Sequence, residues 1–265
     1  MKIGIVGDFL QDRYWVGSVG GLSAEVPVPV VKIHSVFDVP GGSGNVCANL
    51  RSLGVDARVV FKADELTHPI KNRLIVDGQQ IARWDQTDWC EPLGVGDLLE
   101  LAECDAVVVS DYGKGSISPE IVEVLRETTL PLFVDTKRDP SPWIGTQAVL
   151  FPNLKEYNQY KDRYDWISKV VLKRGQDGVM LMEFGHPVLS RASVVKNLVS
   201  VCGAGDTVLA GFVHTYLAGC NLDYCLEYAM AAASVVCGKM FTATATEDEI
   251  QKVLHNTNPD LVPEM

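Results

Sequence analysis

Residues 105–137 read DAVVVSDYGKGSISPEIVEVLRETTLPLFVDTK, with two short apolar runs, 106–109 and 132–134, on either side of a helical segment. Both runs are apolar throughout, which is typical of strands that are covered on both faces in a parallel sheet. The alternation continues along the chain, with predicted strands at 149–151, 170–172 and 179–182 and two early strands at 3–6 and 57–60. The fold class is therefore predicted as α/β, with an open sheet covered by helices.

The remaining segments predict late helices and an early β flap. Helices are expected at 206–217, from near Asn221 to Cys237, and from a capping box at 246–249 onward. The runs 26–33 and 73–76 predict extended strands in a region interrupted by prolines, which favours edge or flap strands over central ones. No linker or repeat marks a boundary, so residues 1–265 are predicted to form one domain, with a small flap from about 12–37 and 68–85.

The composition excludes several kinds of partner. A content of 47% hydrophobic and 22% charged residues is that of a folded globular protein. The net charge of −11 would repel nucleic-acid backbones and anionic membranes, so neither is expected as a partner. The first apolar run is too short for a signal sequence or a membrane span, so we expect a cytoplasmic protein. The seven cysteines have no zinc-binding spacing and are expected to be reduced.

The sequence Gly203-Ala204-Gly205-Asp206-Thr207 opens the first late helix. Its small residues let a ligand approach the backbone, and the unpaired amides at a helix start attract anions. Asp206, in the first turn, could act as a general base beside that anion site. The same residues also fit a plain turn followed by a helix with an early acidic residue, and this second reading stays open for the motif alone.

Two further motifs carry polar groups at positions suited to ligands. Residues 40–45, PGGSGN, open a helix and match neither a Rossmann fingerprint nor a Walker loop, and by themselves they fit a structural loop. Residues 153–156, NLKE, follow a buried strand at the carboxyl edge of the sheet, where open α/β folds bind ligands. Asn153 and Glu156 could hold Mg²⁺ through its waters, or they could form a helix capping box, and both can be true.

Taken in order, these motifs resemble the signatures of the ribokinase-like (PfkB) carbohydrate kinases, an early Gly-Gly-x-x-Asn and a late Gly-Ala-Gly-Asp. Residues 7–15, 24–32, 110–115, 135–137 and 151–156 resemble the branch that phosphorylates D-glycero-D-manno-heptose 7-phosphate. The resemblance covers essentially the whole chain. It implies a mostly parallel sheet with helices on both faces and a β lid.

The resemblance also implies an activity and a set of site residues. It implies transfer of the γ-phosphate of ATP, with Mg²⁺, to the anomeric hydroxyl of a heptose 7-phosphate. Asp206 would be the base, and the amides of Gly203, Ala204 and Gly205 would stabilise the transferring phosphoryl group. The substrate-binding residues implied are Asp12, Gly41, Gly42, Asn45, Lys71, Arg73, Arg83 and Asp111; those for the nucleotide are Asn153, Lys173, Gly175 and Gly178; and those for the metal are Asn153 and Glu156. A homodimer through the flap is a further implication.

The chain departs from this family pattern in four places. Ser200 and Cys202 stand where a monovalent-cation loop normally has Asp and Thr, and Lys173 stands where the branch usually has Thr. A crossover unit of about thirty residues is missing near 61–67, a size typical of such a connection. The nucleotidyltransferase half of the bifunctional relatives is absent, so ADP-heptose synthesis by this chain alone is not expected. A kinase for another sugar or sugar phosphate, and a non-catalytic sugar-phosphate-binding relative, remain the alternatives.

Overall fold

The computed structural model of the chain describes residues 1–62 and 68–257. The strands are β1 (Lys2–Gly7), β2 (Phe9–Leu22), β3 (Pro29–Gly42), β4 (Asp56–Val60), β5 (Ile70–Val76), β6 (Gln79–Gln86), β7 (Ala106–Asp111), β8 (Leu132–Thr136), β9 (Val149–Leu150), β10 (Lys169–Lys173), β11 (Val179–Glu183) and β12 (His186–Arg191). The helices are α1 (Ser43–Ser52), α2 (Pro119–Arg126), α3 (Leu154–Gln159), α4 (Lys161–Tyr164), α5 (Ala204–Leu217), α6 (Leu222–Cys237) and α7 (Glu247–Thr257). Short 3-10 helices lie at Val95–Glu103, Ser141–Trp143 and Gly175–Asp177.

The main sheet has eight strands in the described part of the chain, in the order β12-β11-β10-β9-β8-β7-β1-β4. Strands β4, β1, β7, β8, β9 and β10 run parallel to their neighbours, and β11 and β12 add an antiparallel edge. Each of the seven apolar runs that predicted strands lies in this sheet, which confirms the α/β fold class.

Helices cover both faces of the main sheet, as predicted. Ile3 and Ile5 pack in one core cluster with residues of α1, α5 and α6. Val6 packs in a second cluster, with residues of α2 and of the segment around α3 and α4. Side chains of a strand alternate between faces, so β1 contributes to both cores with successive residues. This two-sided burial explains why β7 and β8 contain no polar residue until their carboxyl ends.

The late helices begin where the capping residues predict. The side chain of Asn221 accepts a hydrogen bond from the backbone of Tyr224 at the start of α6. Thr246 and Glu249 exchange side-chain and backbone hydrogen bonds at the start of α7, as in a capping box. In the described part of the chain, no helix combines the length and the hydrophobicity that a membrane span needs.

A second sheet of four strands, in the order β3-β2-β5-β6, forms the lid. Strands β2 and β3 make a long antiparallel hairpin, and β5 joins β2 in parallel. The predicted extended run at 26–33 is wrong at its start, because 26–28 lies in the connection between the two strands. The amide of Val28 donates to the carbonyl of Val26 in a tight turn, so β3 begins only at Pro29. The shortened crossover predicted near 61–67 falls mainly on 63–67, outside the described residues.

The aromatic side chain of Phe212, on α5, lies in the first of the two core clusters. It is fully buried, and its ring centroid lies 5.3 Å from that of Phe151 and 5.7 Å from that of Tyr216. We expect Phe212→Ala to lower the free energy of unfolding by about 3–5 kcal/mol, because it leaves a cavity in a packed core. Trp166→Ala, at a side chain that is 68% exposed, is the control and should change it by no more than about 0.5 kcal/mol. Urea denaturation measures both, and equal losses would contradict the assignment of the core.

Candidate active site

The candidate site lies at the carboxyl ends of the parallel strands of the main sheet. Asp8 follows β1, Tyr112 follows β7, Lys137 follows β8 and Lys173 ends β10. The N-terminus of α5, which begins at Ala204, reaches the same edge through contacts between its first residues and these side chains. This is the edge at which open α/β sheets bind their ligands.

Asp206 lies in the first turn of α5 and is only 7% exposed. The side-chain amide of Asn45 donates to its Oδ2 at 2.7 Å, and the hydroxyl of Tyr112 donates to its Oδ1 at 2.8 Å. Burial raises the pKa of the Asp206 carboxyl above its ordinary value, and both hydrogen bonds offset part of that rise. A carboxyl group with a raised pKa is suited to accept a proton near neutral pH.

Gly203 is the residue that brings the early and late motifs together. Its φ is 77°, a left-handed conformation that glycine adopts without strain, and α5 begins directly after it. A Cβ at this position would lie 2.6 Å from the Nδ2 atom of Asn45. The amide of Ala204 donates to the carbonyl of Val201 at 3.3 Å, whereas the amides of the first helical turn generally have no acceptor within their helix. The residues of the predicted anion site therefore form a helix start beside Asp206, and the anion site itself stays a prediction.

A chain of alternating charges lies on the side of the site formed by β8, α3 and β10. The ammonium of Lys173 contacts Asp135 Oδ2 at 2.5 Å, and Lys137 bridges Asp135 Oδ1 at 2.9 Å and Glu156 Oε1 at 3.0 Å. Burial would raise the pKa of Asp135, but Lys137 and Lys173 hold it below its ordinary value. A Cβ built at Gly205 would lie 3.5 Å from Lys173 Nζ, so this ammonium adjoins the start of α5.

Asn153 and Glu156 form the helix capping box that was one of the two interpretations of this motif. Asn153 Oδ1 accepts from the amide of Glu156 at 2.9 Å, and Glu156 Oε2 accepts from the amide of Asn153 at 2.8 Å. Glu156 Oε1 also accepts from the Asn153 side chain and contacts Lys137. A carboxylate has about four acceptor positions, so Glu156 can still accept a hydrogen bond from a metal-bound water. The donor set fits Mg²⁺ held through water and does not fit direct coordination.

One face of the lid carries the predicted sugar-binding charges. Asp12 is 7% exposed; its Oδ1 accepts from Arg73 at 3.0 Å and its Oδ2 accepts from the hydroxyl of Thr242 at 3.1 Å. Arg83 lies opposite Arg73 and makes two hydrogen bonds with Asp85, of 2.9 and 2.6 Å. These charges alternate along β2, β5 and β6, so they share one side of the sheet.

Lys71 extends the same face toward the main sheet. Its ammonium lies 4.9 Å from the centre of the Tyr112 ring, and burial lowers its pKa below the ordinary value of lysine. Gly42, at the start of α1, has a φ of 56°, and a Cβ there would lie 2.5 Å from the carbonyl oxygen of Asp8. Gly41 adjoins Asp12, since a Cβ there would lie 3.0 Å from its Oδ2. The structure therefore brings Asp12, Gly41 and Lys71 toward one site.

Three predicted residues make no hydrogen bond or ion pair with the side chains described above, within the described part of the chain. Asp111 is buried, and its Oδ2 accepts from Thr136 and Arg138, each at 2.8 Å. Gly175 and Gly178 flank the short 3-10 helix after β10, and a Cβ at Gly178 would lie 2.0 Å from the carbonyl oxygen of Arg191. The substrate role of Asp111 and the nucleotide roles of these glycines stay predictions. At the altered cation loop, the hydroxyl of Ser200 accepts from the amide of Cys202.

Sequence reasoning assigned no role to several residues that contact the site. Tyr112 contacts Asp206, Lys137 and Asp135 join the charge chain, and Thr242 contacts Asp12. The first three lie inside the stretches 110–115 and 135–137, which carried the family resemblance. Their positions in these stretches could therefore have indicated that they belong to the site. No feature of the sequence indicated Thr242, because it lies far along the chain from the lid that it contacts.

The comparisons with known proteins concern the family and the fold of the chain. Residues 145–249 match the profile of the pfkB family carbohydrate kinases. Arabidopsis thaliana ribokinase, whose structure contains ribose and ATP, superposes with a TM-score of 0.71 at 18% identity, over 95% of this chain and 98% of that one. Phosphofructokinase-2 from Escherichia coli superposes with a TM-score of 0.77 at 14% identity, over 97% and 99%. Residues 145–249 thus resemble the pfkB family of carbohydrate kinases, and the whole chain has the ribokinase-like fold.

A curated relative is more similar in sequence. The bifunctional protein HldE of Yersinia pseudotuberculosis serotype O:1b (strain IP 31758) is 30% identical over 298 residues, which cover 94% of this chain. The chain spans 63% of the length of that relative. The alignment is longer than the 265 residues of the chain, so the matched part of the relative contains residues without a counterpart here.

The two ends of α5 allow a matched test of the contact between Gly203 and Asn45. Gly203 and Gly219 have φ values of 77° and 82°, but only at Gly203 would a Cβ meet other atoms within 4 Å. Each change to Ala should cost about 1–2 kcal/mol for the left-handed conformation. Gly203→Ala should cost about 1.5–3 kcal/mol more, because it displaces the Asn45 amide from the Asp206 carboxylate. Denaturant unfolding of both variants gives the difference, and equal costs would show that Asn45 moves freely.

Proposed function

We propose that this chain is an ATP-dependent kinase that transfers the γ-phosphate to the anomeric hydroxyl of a heptose 7-phosphate. The observation that carries the proposal is the buried carboxylate of Asp206, held between Asn45 and Tyr112 at the start of α5. A base with a raised pKa therefore lies next to a helix N-terminus, the combination that phosphoryl transfer to a hydroxyl needs.

In the proposed reaction the sugar hydroxyl gives its proton to Asp206. The oxygen of the sugar hydroxyl then forms a bond to the γ-phosphorus of ATP, and the bond from that phosphorus to the oxygen of the leaving ADP breaks. The amides of Gly203 and Gly205 and the ammonium of Lys173 stabilise the negative charge of the moving group, whereas the amide of Ala204 already donates to the carbonyl of Val201. Mg²⁺, held through water by Asn153 and Glu156, would neutralise phosphate charge. These residues act by position and charge, as is general for phosphoryl transfer.

The charges on the lid favour a phosphorylated sugar as the acceptor. Lys71, Arg73 and Arg83 share its inner face with the carboxylates of Asp12 and Asp85, so cations outnumber carboxylates there. The Nε atom of Arg73 is buried and, within the described residues, has no hydrogen-bond partner. An additional anion is therefore favoured on this face, and a sugar phosphate supplies one. The resemblance of the sequence to the heptose branch supports heptose 7-phosphate as the particular sugar.

We propose further that a second copy of the chain covers the lid. The lid exposes apolar side chains along its hairpin, among them Val30, Ile33 and Val36, and Ile81 on β6. Exposed apolar patches of this kind mark interaction surfaces. Light scattering should therefore give the mass of a dimer, and Ile33→Lys should lower it to that of one chain of 28.9 kDa. A monomeric wild type would contradict this assignment.

Asp206→Asn tests the proposed base. We expect kcat to fall by about 10² to 10⁴, because Asn keeps the shape of the side chain but cannot accept the proton. Asp248→Asn, at an exposed acidic residue in the first turn of α7, is the matched control and should leave kcat unchanged. The assay measures ADP release with a panel of sugars and sugar phosphates, and NMR gives the position of the new phosphate. A variant with near-normal kcat would favour a non-catalytic, sugar-phosphate-binding protein instead.

Arg83→Gln tests whether the acceptor carries a phosphate. Arg83 is preferable to Arg73, because its partner Asp85 is exposed and is not left buried without a partner. Loss of a charge-assisted hydrogen bond costs about 1.5–3 kcal/mol, so KM for the sugar phosphate should rise about 10- to 100-fold. KM for the unphosphorylated sugar should change little. Equal changes for the two acceptors would favour a kinase for an unphosphorylated sugar.

Arg13→Gln is the matched control for this test. Arg13 makes the same pair of hydrogen bonds with Asp38, of 2.7 and 2.9 Å, but it lies on the opposite face of the lid. It should leave both KM values unchanged.

A further inference from the structure

We propose that Tyr112 is a positioning residue that holds the Asp206 carboxylate in its reactive orientation and couples it to Lys71 on the lid. The inference rests on the proposed function, since it assigns Asp206 as the base. Tyr112 lies in the loop after β7, between the main sheet and the lid.

The carboxylate of Asp206 is fixed by two donors that come from different elements. Tyr112 donates its hydroxyl to Oδ1, and Asn45, in α1, donates its amide to Oδ2. The orientation of the Asn45 amide is itself determined, because its Oδ1 accepts from Asn49 at 3.1 Å and its Nδ2 therefore faces Asp206. With one donor on each oxygen, the carboxylate cannot rotate without losing a hydrogen bond. Removal of either donor should therefore loosen the base.

One buried carboxylate, that of Asp8, binds three amides of the loop that carries Tyr112. Asp8 is fully buried and accepts hydrogen bonds from the amides of Tyr112 at 2.8 Å, Lys114 at 3.0 Å and Ser116 at 3.0 Å. Three charge-assisted hydrogen bonds from one short loop limit its movement. The phenol hydroxyl of Tyr112 is thus directed toward Asp206 by contacts that do not involve Asp206 itself.

The ring of Tyr112 also contacts two cations. The ammonium of Lys71 lies 4.9 Å from the ring centre and that of Lys137 lies 5.2 Å from it. Both distances are in the range of cation–π interactions. Lys71 belongs to the lid and Lys137 follows β8, so the ring connects the lid to the charge chain of the main sheet. Closure of the lid on a sugar phosphate would therefore change the contacts of Tyr112, the residue that holds the base.

The ionisation of Asp206 gives this role a measurable consequence. The charged and titratable groups around it are Tyr112 on the loop after β7, Lys71 on the lid, Asp135 on β8 and Lys173 on β10, with the neutral Asn45 on α1. Burial raises the pKa of Asp206, and the hydrogen bond from Tyr112 lowers it. The variant without the hydroxyl must therefore have a higher pKa at Asp206, and its base becomes active only at higher pH.

Tyr112→Phe and Tyr112→Leu distinguish the hydrogen bond from the hydroxyl to Asp206 from the contact between the ring and Lys71. Phe keeps the ring and removes the hydroxyl, so the acidic limb of the profile of kcat/KM against pH should move up by about one pH unit, or tenfold in kcat/KM on that limb. Leu also removes the ring and should in addition raise KM for the sugar phosphate. Tyr228→Phe is the matched control, because Tyr228 is a buried tyrosine that donates to Glu247 away from the site. It should leave the profile unchanged.

A second measurement keeps the test independent of turnover. In protein labelled with ¹³C-aspartate, the Asp206 signal is identified by its loss in Asp206→Asn and titrated in the wild type and in Tyr112→Phe. An upward shift in the variant supports the inference, and an unchanged titration overturns it even if no sugar is phosphorylated. If Asp206→Asn keeps full activity, the proposed function fails. If Asp206→Asn is inactive but Tyr112→Phe keeps the wild-type profile, only the role of Tyr112 fails.

Discussion

The burial of the Asp206 carboxylate is the constraint on which the site depends. A carboxylate that leaves water loses several kcal/mol of solvation unless other groups replace it, so Asp206 can be buried only where donors are supplied. These donors come from α1 and from the loop after β7, while Asp206 itself belongs to α5. The position of one charge thus requires three elements that are distant in the sequence to meet at one edge of the sheet.

The same requirement explains the charge chain beside it. Asp135 is 2% exposed and is paired on one oxygen with Lys137 and on the other with Lys173. Lys137 is also paired with Glu156, so the two ammonium groups and the two carboxylates of this chain balance in charge. Because Lys173 also adjoins Gly205, its ammonium lies where the proposed phosphoryl group would pass. Structural pairing and proposed catalytic stabilisation are therefore properties of one network and not of separate residues.

The charges of the lid are subject to a different constraint, because they must be stable both with and without a ligand. Arg73 is paired with the buried Asp12 and Arg83 with the exposed Asp85, so the free lid carries no isolated buried guanidinium. Lys71 has an aromatic partner, Tyr112. Its ammonium is thus stabilised by a ring, which leaves it able to accept an anion without first losing an ion pair.

The strands, the late helices and the motifs at 40–45, 153–156 and 203–207 could be predicted from the sequence by itself. Strands buried on two faces must be apolar throughout, and helix starts need particular capping residues, so both leave local patterns. The pairing of Asp206 with Asn45 and Tyr112 left no such pattern, nor did the contact of Thr242 with Asp12. Asp111, which the family resemblance assigned to the substrate, is held by Thr136 and Arg138, and only the folded chain shows this. Local sequence determines local backbone geometry, but the partner of a buried charge is chosen by the packing of elements that lie far apart along the chain.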